Sequence, residues 1–382
     1  MSALDLDRAR ETFESSTDFT IGLEEEFAIV DPRTLELEHR FEDVYAACQA
    51  DEVLAESAAG ELIASEIEIR SGRSETFADA MAAQQDRRNR LFGLVEGMGL
   101  GLAATGTHPW ADYRKQRIID TEHYQRLNDQ LRYVVWRNNT FSLHVHVGVQ
   151  GGDRAVRTCD RLRPVLPLLL AVSANSPYLD GQDSGLHSAR TVSFTRLFPR
   201  CGIPEPFGDW ATFADYIDFL QRTESIVEYT QVWWSVRPHT SFGTVEVRIC
   251  DAQSSAAESE ALAALVTACV LQAARDEDEG RPGADVPGRL IEENLWRAMR
   301  WGLDGKLLDL ETAQQYPARE VVERLAEWTA PARADHGIEL GSLVPNGAQR
   351  QRRLIEAGVG MEDVFVGTTR ETRETYAAQV AV

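Results

Sequence analysis

Four stretches of the chain alternate apolar and polar residues with a period of two, at 19–30, 65–70, 142–149 and 244–250. That period is the mark of a β-strand, whose successive side chains point to opposite faces. Longer stretches carry helical spacing. In 75–95, Phe77, Met81, Arg88, Leu91 and Val95 share one side; similar patterns cover 155–172 (interrupted by prolines), 212–227, 259–274, 289–301 and 319–328. Strands separated by helices are compatible with a parallel sheet, but no phosphate-loop signature of a βαβ unit accompanies them. The expected class is therefore α+β, an antiparallel sheet with helices packed on one side.

The polar faces of the four strands are unusual. In 19–30 one face is Phe19, Ile21, Leu23, Glu25, Phe27 and Ile29, and the other is Thr20, Gly22, Glu24, Glu26, Ala28 and Val30. Glu24 and Glu26 thus project together between small residues, while Glu25 faces away and should be no partner to them. Glu66, Glu68 and Arg70 share a face against Ile67 and Ile69. Ser142, His144, His146 and Gly148 stand opposite Leu143, Val145, Val147 and Val149. Thr244, Glu246, Arg248 and Cys250 stand opposite Val245, Val247 and Ile249, with Asp251 just beyond.

An alternating strand usually turns its polar face to water. Solvent faces, however, mix lysine, threonine, serine and both charge signs, because like charges on neighbouring strands repel. These faces hold glutamate and histidine, with arginine as their only base. So many carboxylates brought together need a compensating cation. Mostly oxygen donors suit Mg²⁺ or Mn²⁺ rather than zinc, and such ions beside arginines are what phosphoryl transfer requires. A metal-dependent hydrolase using an activated water is the competing reading of the same cluster.

Composition narrows the field. The 382 residues carry 61 acids against 39 Lys and Arg, a formal charge of −22, which disfavours nucleic acid and anionic membranes as partners. Met1 to Ser16 is polar and acidic, without the apolar core of a leader, and no run of eighteen apolar residues occurs. The five cysteines are scattered and never form a CxxC pair, as expected of a reducing cytoplasm. The string at 97–106 offers a GxGxxA pattern at Gly99, Gly101 and Ala104, but the glycines follow a helix and lead into a strand, the reverse of a dinucleotide loop. The stretch 276–288, DEDEGRPGADVPG, reads as an exposed acidic loop within one catalytic domain spanning 1–382 (core about 17–358), ahead of a mostly helical C-terminal part at 289–382.

The strings FTIGLEEEF, ELIASEIEIRSG, GTHP, SLHVHVGV, ANSPYLDGQDSGLHSAR, WWSVRPHTSFGTVEVRICD, ENLWRAMRWGLDG and GAQRQRRLIEAG run in order through nearly the whole chain. Together they resemble the type 2 glutamate–cysteine ligases, or carboxylate–amine ligases. The resemblance implies the fold of glutamine synthetase and the guanidino kinases, a curved antiparallel sheet forming an active-site funnel with helices outside. It also implies ATP and Mg²⁺ (or Mn²⁺), with glutamate and cysteine, or another amine or acid, joined through a γ-glutamyl phosphate. Matched position by position, Glu24, Glu26, Glu61, Glu68, His144 and Glu246 fall on metal-binding positions, with Glu66 an open alternative to Glu68. Arg248 matches the arginine that contacts the transferred phosphate, so that Arg248, Glu246 and Glu26 are the expected catalytic set. Arg190 and Arg237 are expected to clamp substrate carboxylate or phosphate, or else to pair with the acidic cluster, and His146 to face the substrate or support the ligands. The second substrate and any homo-oligomeric state stay open.

Overall fold

The computed structural model describes residues 4–283 and 286–377. Its main sheet has seven strands: β1 (Ile21–Val30), β2 (Ala58–Ala59), β3 (Glu66–Arg70), β4 (Gly101–Ala103), β5 (Ser142–Gly148), β6 (Val236–His239) and β7 (Thr244–Asp251). The order is β6-β7-β5-β1-β3-β2, with β4 also pairing β1, and the sheet is open. Every pairing in it is antiparallel, as the pattern predicts.

The apolar face carries the hydrophobic core. Ile21, Leu23, Val145, Val147, Val245 and Val247 pack with the apolar sides of helices α2 (Gly152–Leu162), α3 (Leu166–Ser173) and α5 (Ala256–Asp278). Helix α1 (Phe77–Gly97) covers β1 and β3, contributing Leu91, Phe92 and Val95 against Phe27, Ile67 and Ile69. Local signals explain the helix starts. Thr76 caps α1 by accepting from Asp79 N, Asp209 caps α4 (Trp210–Arg222) by accepting from Thr212 N, and Ser255 caps α5 by accepting from Glu258 N. The helix expected at 155–172 is broken into α2 and α3 around Arg163–Val165, where Pro164 ends one helix and Pro167 opens the next. Beyond 288 lie further helices, α6 (Gly288–Trp301), α7 (Val321–His336), α8 (Gly347–Glu356) and α9 (Met361–Tyr376).

One expectation needs correction. The stretch 276–288 does not begin as a loop: Asp276 to Asp278 form the last turn of α5, and Asp276 is buried, accepting from Gln272 Nε2 and Trp328 Nε1. Exposure begins at Asp278 and continues to Gly283; Ala284 and Asp285 lie outside the described residues. Further, α5 is long and apolar enough by composition to cross a membrane, although 83% of that window is buried inside the protein, where it serves as the core helix behind β5.

Candidate active site

The opposite face of the sheet lines a cavity of about 530 Å³. Strand pairing decides which side chains meet there. Glu24 pairs with His144 on one edge of β1 and with Arg70 on the other, Glu26 pairs with Glu68, and Glu246 lies between His146 and Arg237. Glu61 comes from the turn linking β2 to β3. Glu24, Glu26, Glu61, Glu68, His144 and Glu246, picked out in the sequence, are thereby brought into one cluster, and His146 joins them. Three sets of potential ligand atoms lie within 4.8 Å of one another: Glu24–Glu68–His144, Glu24–His146–Glu246 and Glu26–Glu61–Glu68. Glu24 and Glu68 are each shared by two of the sets. Glu66 shares the face and lines the cavity, but it pairs with Ala28 and belongs to none of the three.

The hydrogen bonds orient these groups. Ser142 donates to Glu26 Oε2 from its backbone N (2.5 Å) and its hydroxyl (2.6 Å), and its Oγ lies 2.8 Å from His144 Nε2. His144 Nδ1 is 2.9 Å from Glu24 Oε2. His146 Nδ1 meets Thr244 Oγ1 at 3.0 Å, leaving Nε2 3.4 Å from Glu24 Oε1 and 3.9 Å from Glu246 Oε1. The arginines are divided in role. Arg237 is buried and grips Glu246 through Nε (2.6 Å), an ion-pair partner of the cluster. Arg248 also pairs with Glu246. Arg190 donates to the backbone carbonyls of Ile249 (3.1 Å) and Arg248 (3.3 Å). All three line the cavity.

Electrostatics separates the carboxylates. Burial opposes the charge on Glu24, but His146 and His144 outweigh it and hold the carboxyl well below its ordinary range. Burial likewise opposes Glu246, and Arg237 and Arg248 prevail. On the β3 side the balance reverses. Burial and the Glu26 charge push Glu61 up to about 7. Burial and then the neighbouring glutamates, Glu26 for Glu66 and Glu24 for Glu68, drive these two well above the usual carboxylate range. His144 is lowered by burial and then by Arg248, which keeps it neutral, the form a metal ligand needs.

The donor set fits divalent cations. Glu68 Oε2 and His146 Nε2, both in those ligand sets, are buried without a hydrogen-bond partner, a costly state that coordination would relieve. On the arginine side Arg190 Nε and Arg248 Nε are orphaned too, as donors awaiting an anion would be.

Several cavity residues escaped the sequence reading. Arg70 pairs with Glu68 (2.5 Å) and Glu24 (3.5 Å); its place on the polar face of β3 was visible, but nothing set it apart. His123, Tyr124, Asn138 and Glu228 line the cavity from segments outside the sheet with no periodic signal. Trp233 lines the cavity whereas Trp234 belongs to the core. His108 is structural: its Nε2 is 2.7 Å from Leu35 O and its Nδ1 accepts from Ala111 N. Asn294 is buried and bonded to both backbone groups of Leu308. Cys250 is not on the polar face. A bulge in β7 between Val247 and Cys250 pairs Cys250 with Leu143 and turns it into the core, so that Asp251 pairs with Ser142. Asp251 there accepts from Asn175 N, Ser176 Oγ and Ser188 Oγ.

Comparison with known proteins places the chain in a family and a fold. The sequence model described as glutamate-cysteine ligase family 2 matches residues 20–379. A protein of Rubrobacter xylanophilus provisionally named glutamate–cysteine ligase 2-2 is 39% identical over 96% of this chain and 95% of its own length. A similarly named protein of Gloeobacter violaceus is 35% identical over 90% and 94%. Among solved structures, a glutamate–cysteine ligase from Francisella tularensis in complex with AMP superposes with a TM-score of 0.66 at 10% identity, covering 96% of this chain and 91% of that one. A bifunctional glutathione synthetase from Pasteurella multocida gives 0.64 at 11%, covering 96% and 53%. At such identities the structural likeness speaks to the fold alone: helices with an open antiparallel sheet. The sequence match over nearly its whole length establishes that this chain belongs to glutamate–cysteine ligase family 2.

Proposed function

We propose that this protein is an ATP-dependent carboxylate–amine ligase that activates the γ-carboxylate of glutamate as an acyl phosphate and joins it to cysteine or another amine. The observation that carries this reading is the convergence of Glu24, Glu26, Glu61, Glu68, His144, His146 and Glu246 into three overlapping ligand sets, of which Glu24, Glu26, Glu61 and Glu246 line one cavity. Glu24 and Glu68, each shared by two sets, would let adjacent divalent cations be held side by side, as phosphoryl transfer from a nucleotide requires. The AMP in the Francisella structure supports an adenine nucleotide as the phosphoryl donor.

In this reading the seven residues hold Mg²⁺ or Mn²⁺, which when bound neutralises charge on phosphate oxygens. Arg248, anchored by Glu246 and with its Nε unpartnered, steadies the phosphoryl group in transfer. Arg190, fixed by two backbone carbonyls, offers its free Nε to a substrate anion. Arg237 keeps Glu246 ionised and in place. Ser142 sets the direction of Glu26 and His144.

The test is phosphate and ADP release by the purified protein with glutamate, ATP and Mg²⁺ over a panel of amino acids and simple amines. Strict dependence on ATP, and a hydroxamate when hydroxylamine replaces the amine, are expected. Turnover of an ester or amide without nucleotide would overturn the ligase in favour of metal-activated hydrolysis.

A further inference from the structure

An amine that attacks an acyl phosphate arrives at neutral pH as an ammonium, and its nitrogen has no lone pair until a proton leaves; a positioned base must take it. The imidazoles of the cluster are engaged, His144 with Glu24 and Ser142, and His146 with Thr244 while its Nε2 faces Glu24 and Glu246. His239 also lines the cavity but lies flat on Phe242, ring centroids 4.3 Å apart, with no carboxylate bonded to its ring among the described residues.

His123 is different. It stands in the first turn of the helix Glu122–Leu131, and its Nδ1 lies 2.5 Å from Oε1 of Glu228, which precedes the turn Tyr229–Gln231. The ring is 32% exposed, the Glu228 side chain 16%, and both residues line the cavity from outside the sheet. Nε2 has no partner among the described residues. A carboxylate on one imidazole nitrogen selects the tautomer that leaves the other nitrogen as a base. Alongside, Leu127, Val135, Phe198 and Trp233 make an apolar stretch of cavity wall.

We propose that His123 is the base that deprotonates the attacking amine, that Glu228 positions it, and that the neighbouring apolar wall receives the carbon skeleton of that amine; this rests on the ligase reading above. The ammonium gives one proton to His123 Nε2. The freed lone pair forms the N–C bond at the acyl carbon, and the C–O bond to phosphorus's bridging oxygen breaks, phosphate leaving with the electron pair. The nitrogen's second proton goes to the departing phosphate, and the imidazolium returns the first to solvent.

Hydroxylamine is unprotonated at neutral pH and needs no base, so it separates this role from a structural one. The full chain with ATP, Mg²⁺ and glutamate is assayed with hydroxylamine and, in parallel, with the amino acid that best supports phosphate release. For His123→Gln, kcat with the amino acid should fall about 100-fold or more, while hydroxamate formation falls at least roughly tenfold less. Glu228→Gln should shift the same ratio in the same direction by a smaller factor, and Glu228→Asp should restore part of it. Equal losses with both nucleophiles, or no loss with either, overturn the assignment; retained hydroxamate formation shows that the variant is folded. A wild type that makes neither product sinks the ligase reading itself, an outcome distinct from a wild type active with both whose His123→Gln ratio stays fixed.

Discussion

Glu25 sits between Glu24 and Glu26 but points to the helix side of β1, where it is 4% exposed. Arg88 of α1, 2% exposed, donates to both its oxygens at 2.7 Å, Gln84 donates at 2.7 Å, and Ser259 of α5 completes the set. The pair ties the central strand to two helices. Glu25→Gln keeps the shape and removes the charge, leaving Arg88 buried and uncompensated. Breaking such a pair from one side costs about 3–5 kcal/mol, a large part of the stability of an ordinary domain. Urea denaturation followed by circular dichroism should show that loss, and Arg88→Met should show a similar one. The double variant should be far better than the sum, by roughly 1–3 kcal/mol, because neither charge is then orphaned. Burial opposes ionisation of Glu25, but Arg88 outweighs it and lowers the carboxyl. The charge therefore stabilises above the unfolded carboxyl range, and its contribution is lost as the pH falls through the folded value, so wild type and Glu25→Gln converge in acid. A Glu25→Gln protein within about 1 kcal/mol of wild type at pH 7, with additive effects of the two single changes, would refute this account.

Glu24→Gln and Glu26→Gln should cut turnover by orders of magnitude and raise the Mg²⁺ concentration needed, read by metal titration of phosphate release; folded Glu25→Gln should need no more Mg²⁺ than wild type. Arg248→Lys should lower kcat by about 100-fold, since an ammonium lacks the planar fork that both pairs with Glu246 and grips phosphate oxygens; wild-type turnover would remove it from the chemistry. Metal should stabilise the protein more in alkali than in acid. Glu61, Glu66 and Glu68 are raised, Glu61 to about 7, so without metal their ionisation costs stability as pH rises from the ordinary carboxylate range through these values. A bound cation removes that cost, and the gain in Tm on adding Mn²⁺ should be greater at pH 8 than at pH 5.5; equal gains would contradict it.

Much of the candidate site was legible in the strands themselves. Alternation is a property of one strand and its neighbouring residues, so Glu24 and Glu26 could be placed opposite Glu25, and His144 with His146, before any partner strand was known. The caps at Thr76, Asp209 and Ser255 and the prolines at 164 and 167 are equally local. Several points were not accessible in that way. Glu66 and Glu68 share a face, and only the pairing of Glu68 with Glu26 and of Glu66 with Ala28 separates them. Arg237 was expected to clamp a substrate or to pair with the acids, and only the pairing of β6 with β7 brings it against Glu246. Cys250 was placed on the wrong face because a bulge adds a residue without leaving a mark in the period. Glu61 and the His123–Glu228 pair lie on segments with no period at all. By itself, the amino-acid order determined the strands, their faces and the excess of carboxylate on one of them, because backbone geometry turns spacing into direction. Which carboxylates share an ion, and which cations answer them, was left to tertiary structure, because register, bulges and loop placement follow from contacts between residues far apart in the chain.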